Sequence, residues 1–262
     1  MMDLNFMWYV TFGITHDKAT ENRDKALEKC ARSAYHDLSR TLDYSISTGD
    51  LETLEKNKEF ETYYDFIKTK EMFINEVVRI ILGKIKVLLD KPQRDFEDWH
   101  EDACNAIMKK VPKRLKSGDP LFRKKDKKGN VEDDAFYYGQ AQKWLNMTLK
   151  NMVAMGLWDL DEIHAKLHVP VDSYITEAAS GLDVGIPHSY SSEVCKFSGE
   201  SKPWSTWNDV EYIKFQKALR EALEGENPIG WESGAWIEIA EKRKQQDKDK
   251  ETQKREKRLG HG

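Results

Sequence analysis

Cysteine is scarce and odd in number: Cys30, Cys104 and Cys195 lie far apart in a chain of 262 residues. That excludes a disulfide framework and a cysteine-ligated cluster, and it fits a reducing, cytoplasmic setting. No apolar run is long enough to span a bilayer; the longest, Phe73 to Leu89, is interrupted by Asn75, Glu76, Arg79, Lys84 and Lys86. The apolar opening, MMDLNFMWYVTFGI, lacks a basic leader and a small-residue cleavage site, so no signal peptide is expected. There is no internal repeat, no clear linker, and no glycine-elbow motif around any serine. Net charge is small as well: −4, with a pI near 6.0, does not advertise a nucleic-acid partner, although the charge is segregated along the chain.

What is present is helical pattern. The chain is 39% hydrophobic and 34% charged, with Lys and Glu on long amphipathic stretches. The expected fold is all-α: a globular multi-helix domain over residues 1–240, as one unit or two lobes with a cleft. A polar, partly frayed helical extension follows over 241–262, where nine basic and five acidic residues between Glu241 and Arg258 leave no apolar face. Helices are expected over Asp17 to Asp43, from Leu51 to about Leu89 with one break, over Asp95 to Met108, Gly139 to Met155, Trp158 to His168 and Trp207 to Leu223, and from Pro228 onward. Met72 to Leu89 is apolar on more than one face and is the candidate central helix. Residues 1–15 fit strand or helix. Ser180 to Pro203, with His188, Ser189, Tyr190, Ser191, Ser192 and Cys195, reads as a long structured connection.

Two features bear on chemistry. Between Lys109 and Lys128 there are ten Lys or Arg residues against two Asp, with Pro112, Gly118 and Pro120 and no apolar period. This is a loop, either solvated surface or a phosphate-contacting element built from Lys113, Arg114, Lys116, Arg123, Lys124 and Lys125. It leads into Tyr137 to Tyr174, where Lys143 stands near the start of one helix and Val169-Pro170-Val171 delivers Asp172 to the start of another. A helix N-terminus and apolar surroundings disfavour a lysine's charge and make it a nucleophile. An N-cap aspartate stays ionised and stabilises positive charge developing on a sugar. The plain alternative is a solvated lysine and a helix cap. His164 and His168 lie one helical turn apart but lack a third ligand at matching spacing, so neither a metal nor a cofactor is expected.

The pattern Gly139, Lys143-Trp144-Leu145-Asn146 and Val169-Pro170-Val171-Asp172-Ser173-Tyr174 resembles the helix-hairpin-helix base-excision DNA glycosylases. The interval of 29 residues between Lys143 and Asp172 is closest to the archaeal GO glycosylase branch. The hairpin is atypical: Tyr137-Tyr138-Gly139-Gln140 stands where the family has Leu-Pro-Gly-Val-Gly, and the four-cysteine cluster of the endonuclease III group is absent. The resemblance covers about forty residues. It implies that Lys143 forms a Schiff base in a bifunctional glycosylase/lyase that removes a modified or damaged base, with Asp172 activating it. DNA would be the partner, with Gly139 and Gln140 adding to the basic loop's phosphate contacts. A flipped base needs a pocket, for which Tyr138, Trp144 and Gln142 are the candidates, among a wider aromatic set of Tyr137, Trp204, Trp207, Trp231 and Trp236. The rival readings are a non-catalytic helical nucleic-acid-binding protein and a helical protein-interaction module. Oligomeric state is left open.

Overall fold

The computed structural model describes residues 3–92, 95–110, 113–125, 129–182 and 203–259, with side chains given except at position 48 and after 253. The serine-rich connection and the residues singled out in it, His188 to Ser192 and Cys195, lie outside that set. The fold is all-α, as the periodicity predicts. Among the described residues there are eleven helices and one short antiparallel hairpin. No helix among them is long and apolar enough to cross a membrane.

The opening residues form a helix, α1 (Leu4–Phe12), capped by Asp3 and ended by Gly13 at φ 67°. The expected single helix from Asp17 to Asp43 is two, α2 (His16–Glu21) and α3 (Arg23–Ser39), because Asn22 leaves helical geometry and caps α3 by accepting from Lys25 N. Ser47 and Asp50, read as part of a break, instead form a reciprocal capping box that starts α4 (Thr48–Lys56). The single expected break in the next stretch is at 57–59, with Lys58 at φ 60°, before α5 (Phe60–Asp90). Asp95 caps α6 (Phe96–Met108).

The basic stretch is not a free loop. It contains strand β1 (Arg123–Lys125), paired with β2 (Val131–Asp133), and two isolated bridges, Tyr44 to Phe122 and Arg114 to Pro120. Then come α7 (Tyr138–Met155), the short α8 (Asp161–His164), α9 (Ser173–Ala179), a 3₁₀ turn (Trp204–Thr206), α10 (Asp209–Ala222) and α11 (Pro228–Leu259). α8 is one turn rather than the helix from Trp158 to His168 that is expected. The charged C-terminal stretch continues α11 unbroken to Leu259.

The central helix is α7, not the second half of α5. From Tyr138 to Asn146 every residue of α7 is buried. α5 buries one face, through Phe73, Val77, Ile81, Ile85 and Leu88, while Met72 and Val87 are exposed. α7 packs against α3, α6, α10 and the 3₁₀ turn, and its Trp144 indole donates to Ala31 O of α3 at 2.8 Å. An all-round buried helix has to satisfy its polar side chains internally, and the partners of Gln140, Gln142, Lys143 and Asn146 define the site described next.

Gly139 marks the tightest approach in the molecule. Its N–H donates to Trp207 O at 3.0 Å, and a Cβ there would lie 2.1 Å from Trp204 O, a backbone atom that cannot swing away. In an exposed helix interior Gly→Ala gains up to about 1 kcal/mol. Here the sign reverses: Gly139→Ala should cost about 1–3 kcal/mol by overpacking, read as a lower urea midpoint with an unchanged m-value.

Candidate active site

Lys143 Nζ and Asp172 Oδ2 are 2.9 Å apart, with side chains only 6% and 17% exposed. The chain reaches this from two directions. On α7, Lys143 lies in the second turn, its stem among core side chains. On the other side the turn Val169-Pro170-Val171 is buried and ends at Asp172, the N-cap of α9, whose Oδ1 accepts from Tyr174 N at 2.9 Å and Ile175 N at 3.0 Å. One carboxylate oxygen therefore holds a helix start while the other faces the lysine. Burial pushes the Asp172 carboxyl up. The Lys143 charge and its hydrogen bond, with the two backbone N–H groups, outweigh that and hold it below the ordinary carboxylate value.

The turn is fixed by side chains rather than by a sheet or helix. Val169 O accepts from Gln216 Nε2 at 2.9 Å, Pro170 O from Lys143 Nζ at 3.3 Å, and Val171 O from Gln142 Nε2 at 3.4 Å. Just upstream, Arg220 donates to the carbonyls of Ala165, Lys166 and Leu167. Behind the turn lies a polar chain, buried except where it ends at the half-exposed Glu97, whose protons can be counted. The Glu97 carboxylate can only accept, so His168 carries a proton on Nε2, facing it at 2.9 Å. The neutral ring then leaves Nδ1 to accept from Tyr212 OH at 2.8 Å, while the Tyr212 oxygen accepts from Asn146 Nδ2 at 2.8 Å. Asn146 Oδ1 accepts from His100 Nε2 at 2.9 Å, leaving His100 Nδ1 to accept from the Cys104 thiol at 3.8 Å. Asn146 Nδ2 also reaches Gln142 Oε1 at 3.0 Å, which links the chain to the residue beside Lys143. The network closes with both imidazoles neutral. Burial accordingly pushes both below their ordinary values, His100 further, and Glu97 only partly offsets this at His168.

The pair opens onto a cavity of about 480 Å³, within the range of small-molecule sites. Its walls include Met147 and Lys150 of α7, Tyr174 of α9, Trp204 of the 3₁₀ turn, and Glu232 and Trp236 of α11. Asp37, Arg40 and Thr41 complete them from the end of α3. Glu232 is buried and ion-paired with Lys150. Trp236 stacks on Tyr174 at 4.8 Å and 22°, and Arg243 lies over the other part of that cluster, 4.1 Å from the Tyr174 ring centre, while pairing with Glu177 at 2.7 Å. The charged segment after residue 240 thus clamps the helix that Asp172 caps.

The sequence-derived pocket candidates fall elsewhere. Tyr138, Trp144 and Gln142 are all at most 2% exposed, and none lines this cavity. Trp144 packs against Tyr35 and Phe73, and Gln142 serves the turn. Of the wider aromatic set, Trp204 and Trp236 are in the wall. Gly139 and Gln140 are not placed for phosphate: the Gly139 amide is used by Trp207 O, and Gln140 binds Tyr137 N and Thr41 O. Most of the basic positions are engaged by acids, some in the hairpin region itself and some in α5. Lys113 pairs with Glu76, Arg114 with Asp134, Arg123 with Asp133 and Asp119, and Lys116 approaches Glu61 at 3.9 Å. Lys124 lies over the Tyr137 ring, Lys125 is exposed, and none of the six lines the cavity. His164 meets Asn227 and His168 meets Tyr212 and Glu97, so the two do not converge. Met147 and Lys150, four and seven residues after Lys143, share its helix face. That spacing was the available signal for the wall.

No protein-family model, no curated protein and no solved structure matches the chain.

The two neutral buried imidazoles make stability depend on pH with a definite sign. Their folded-state values are depressed, so their contribution is complete above about pH 6.5 and is lost as pH falls, because the unfolded chain binds protons that the folded one refuses. Between pH 7.5 and 5.5 unfolding free energy should fall, approaching about 1.4 kcal/mol per pH unit for each imidazole that stays neutral. Urea midpoints across that range check it; a flat profile would mean that the imidazoles accept protons in place.

Proposed function

We propose that the protein is a DNA glycosylase with lyase capacity, using Lys143 as nucleophile and Asp172 as its carboxylate partner. The observation that carries this reading is the nearly buried Lys143–Asp172 pair at 2.9 Å on the wall of a cavity large enough for a flipped nucleoside. The resemblance in the segment from Gly139 to Tyr174 names the same two residues, and the geometry adds an independent reason to assign them together.

The chemistry follows from the two oxygens of Asp172. As the bond from C1′ to the base lengthens, positive charge builds on the sugar, and a fixed carboxylate stabilises it. The departing base takes the bonding electron pair and a proton. Lys143 must lose its own proton before its lone pair reaches C1′; Asp172 Oδ2, already its hydrogen-bond partner, is the acceptor within reach. Ring opening then yields an imine between Nζ and C1′, and loss of a C2′ proton expels the 3′ phosphate. Trp204, Tyr174 and Trp236 supply aromatic surface in the wall, and Glu232 with Lys150 supplies a polar edge.

The plain alternative, a structural ion pair, is favoured by one specific observation: Asp172 is also a satisfied helix cap. The two readings differ in what mutation does. Borohydride treatment with duplex DNA carrying an abasic site or a panel of damaged bases should trap a covalent adduct on the wild type and none on Lys143→Gln. Asp172→Asn, which keeps a capping side chain, should lower the single-turnover rate by at least about 100-fold, the scale of losing one transition-state charge partner. No adduct and no base release from the wild type across the panel would sink the enzyme reading. A trapped adduct that persists in Lys143→Gln would sink the choice of nucleophile.

The energetics of the pair are read in unfolding. Removing one partner leaves the other charge buried, so Lys143→Met alone should cost about 3–5 kcal/mol. Lys143→Met combined with Asp172→Asn, which removes both charges and keeps a capping side chain, should recover most of that loss in urea midpoints while still abolishing trapping.

A further inference from the structure

The wall of the Lys143 cavity and a second cavity of about 510 Å³ share one residue, Arg40, at the end of α3. The second cavity is mostly polar where it meets Arg40. Ser39, Asp43 and Ser47 line it, with Tyr44 and Phe66 behind and Lys70 of α5 opposite. Arg40 is exposed, and no carboxylate among the described residues is in ion-pair contact with it or with Lys70. Lys70 instead lies 4.6 Å from the centre of the Tyr44 ring, and its partial burial holds its pKa below the ordinary lysine value. This contrasts with Lys113, Arg114, Lys116 and Arg123 of the basic stretch, which are engaged by Glu61, Glu76, Asp119, Asp133 and Asp134.

The segment between them is held rigid. Arg123 N donates to Asp43 O at 2.8 Å, Ser45 N to Leu121 O at 2.9 Å, and Gln140 Nε2 to Thr41 O at 2.5 Å. The hairpin therefore serves as a brace for residues 41–45, and α7 ties the same segment to the reactive lysine. A cation without a carboxylate in ion-pair contact, next to a braced segment and between the two cavities, is where a polyanion gains from counterion release at low conformational cost.

We propose that Arg40 and Lys70 bind the phosphodiester groups flanking the target nucleotide, so that the strand runs from the Lys143 cavity across Arg40 into the second cavity. This rests on the nucleic-acid reading above and adds to it which cations, and which side of the cavity, take the backbone. Asp37 and Asp43 face the same path from the two cavities. They keep the backbone on the Arg40 and Lys70 side and lower non-specific affinity without removing the site.

The test is a salt titration of binding to a duplex with a reduced abasic site, using fluorescence anisotropy and the full chain. Each phosphate contact contributes about 0.9 to the slope of log K against log salt for duplex DNA. Arg40→Gln and Lys70→Gln should each shallow the slope by about one, and the double variant by about two. Arg40→Lys should restore most of the slope. Lys86→Gln, an equal charge change on a remote side chain paired with Asp24, should leave it unchanged, and urea midpoints of all variants confirm folding. Wild-type binding with the slope intact in Arg40→Gln and Lys70→Gln overturns the proposal and leaves the glycosylase reading standing. Equal losses in Lys86→Gln overturn it too, because they mark a net-charge effect. Wild type that shows no salt-dependent binding removes the nucleic-acid reading, and this proposal with it.

Discussion

Three consecutive carbonyls, those of Val169, Pro170 and Val171, sit in a region with almost no exposed surface, and buried carbonyls that find no donor cost about 1–3 kcal/mol each. Side chains, not the backbone N–H groups of a strand or helix, supply the donors. Gln216 of α10 and Gln142 and Lys143 of α7 supply them. The rest of the site depends on this, because the same contacts fix where the turn ends and so where Asp172 begins α9. Lys143 takes part twice, once as donor to Pro170 O and once as partner of Asp172, so the reactive amine and its carboxylate are registered by one short piece of backbone. Asn146 extends the constraint inward to Tyr212, His168 and His100. A buried chain with every proton assigned permits one arrangement and disfavours near alternatives.

Such an arrangement is expensive. A lysine and an aspartate removed from water lose hydration that their mutual attraction only partly restores, and apolar replacements of similar volume are often neutral or stabilising. Two imidazoles kept neutral add a stability loss at mildly acid pH. Elsewhere the chain behaves as an economical helical protein, with capped helices and a contiguous core through α3, α5, α6, α7 and α10. Polar groups are concentrated under one cavity and aligned on one turn. That distribution is what a site built to stabilise developing charge requires, since fixed dipoles and charges act most strongly where water is excluded.

The helices were legible because their periodicity and caps are local. Asp95, Asn208 and Asn227 stand before apolar periods, and the last two helices begin within two residues of where the pattern puts them. Lys143 and Asp172 are singled out by their places at two helix starts and by the resemblance, but that they meet on one cavity wall is read only from the structure. What failed was any inference from residue type to exposure. Gln140, Gln142 and Asn146 are polar residues in the first turns of a helix, ordinarily a solvated place, yet each is buried because its partners come from α10, the 41–45 segment or the turn, far off in sequence. Aromatics line pockets, which makes Tyr138 and Trp144 candidates from sequence; in the fold they fill the core. The basic stretch is harder to read for a related reason: two of the acids that offset it, Glu61 and Glu76, lie in α5, while Asp119, Asp133 and Asp134 are its own neighbours.

That last point changes where a nucleic acid would be sought. A local surplus of positive charge binds a polyanion only if the charges are not already neutralised within the fold. Between Lys109 and Lys128 most of the described cations have intramolecular partners, and the geometry they hold is a brace under residues 41–45. Arg40 and Lys70 are single cations in unremarkable sequence, and no charge run identifies them. They stand out only after the ion pairs among the described residues are drawn, Arg40 on the wall of the Lys143 cavity and Lys70 in the cavity next to it. In the proposed reading the hairpin's charge fixes the frame, and the substrate's charge would be met by these other residues.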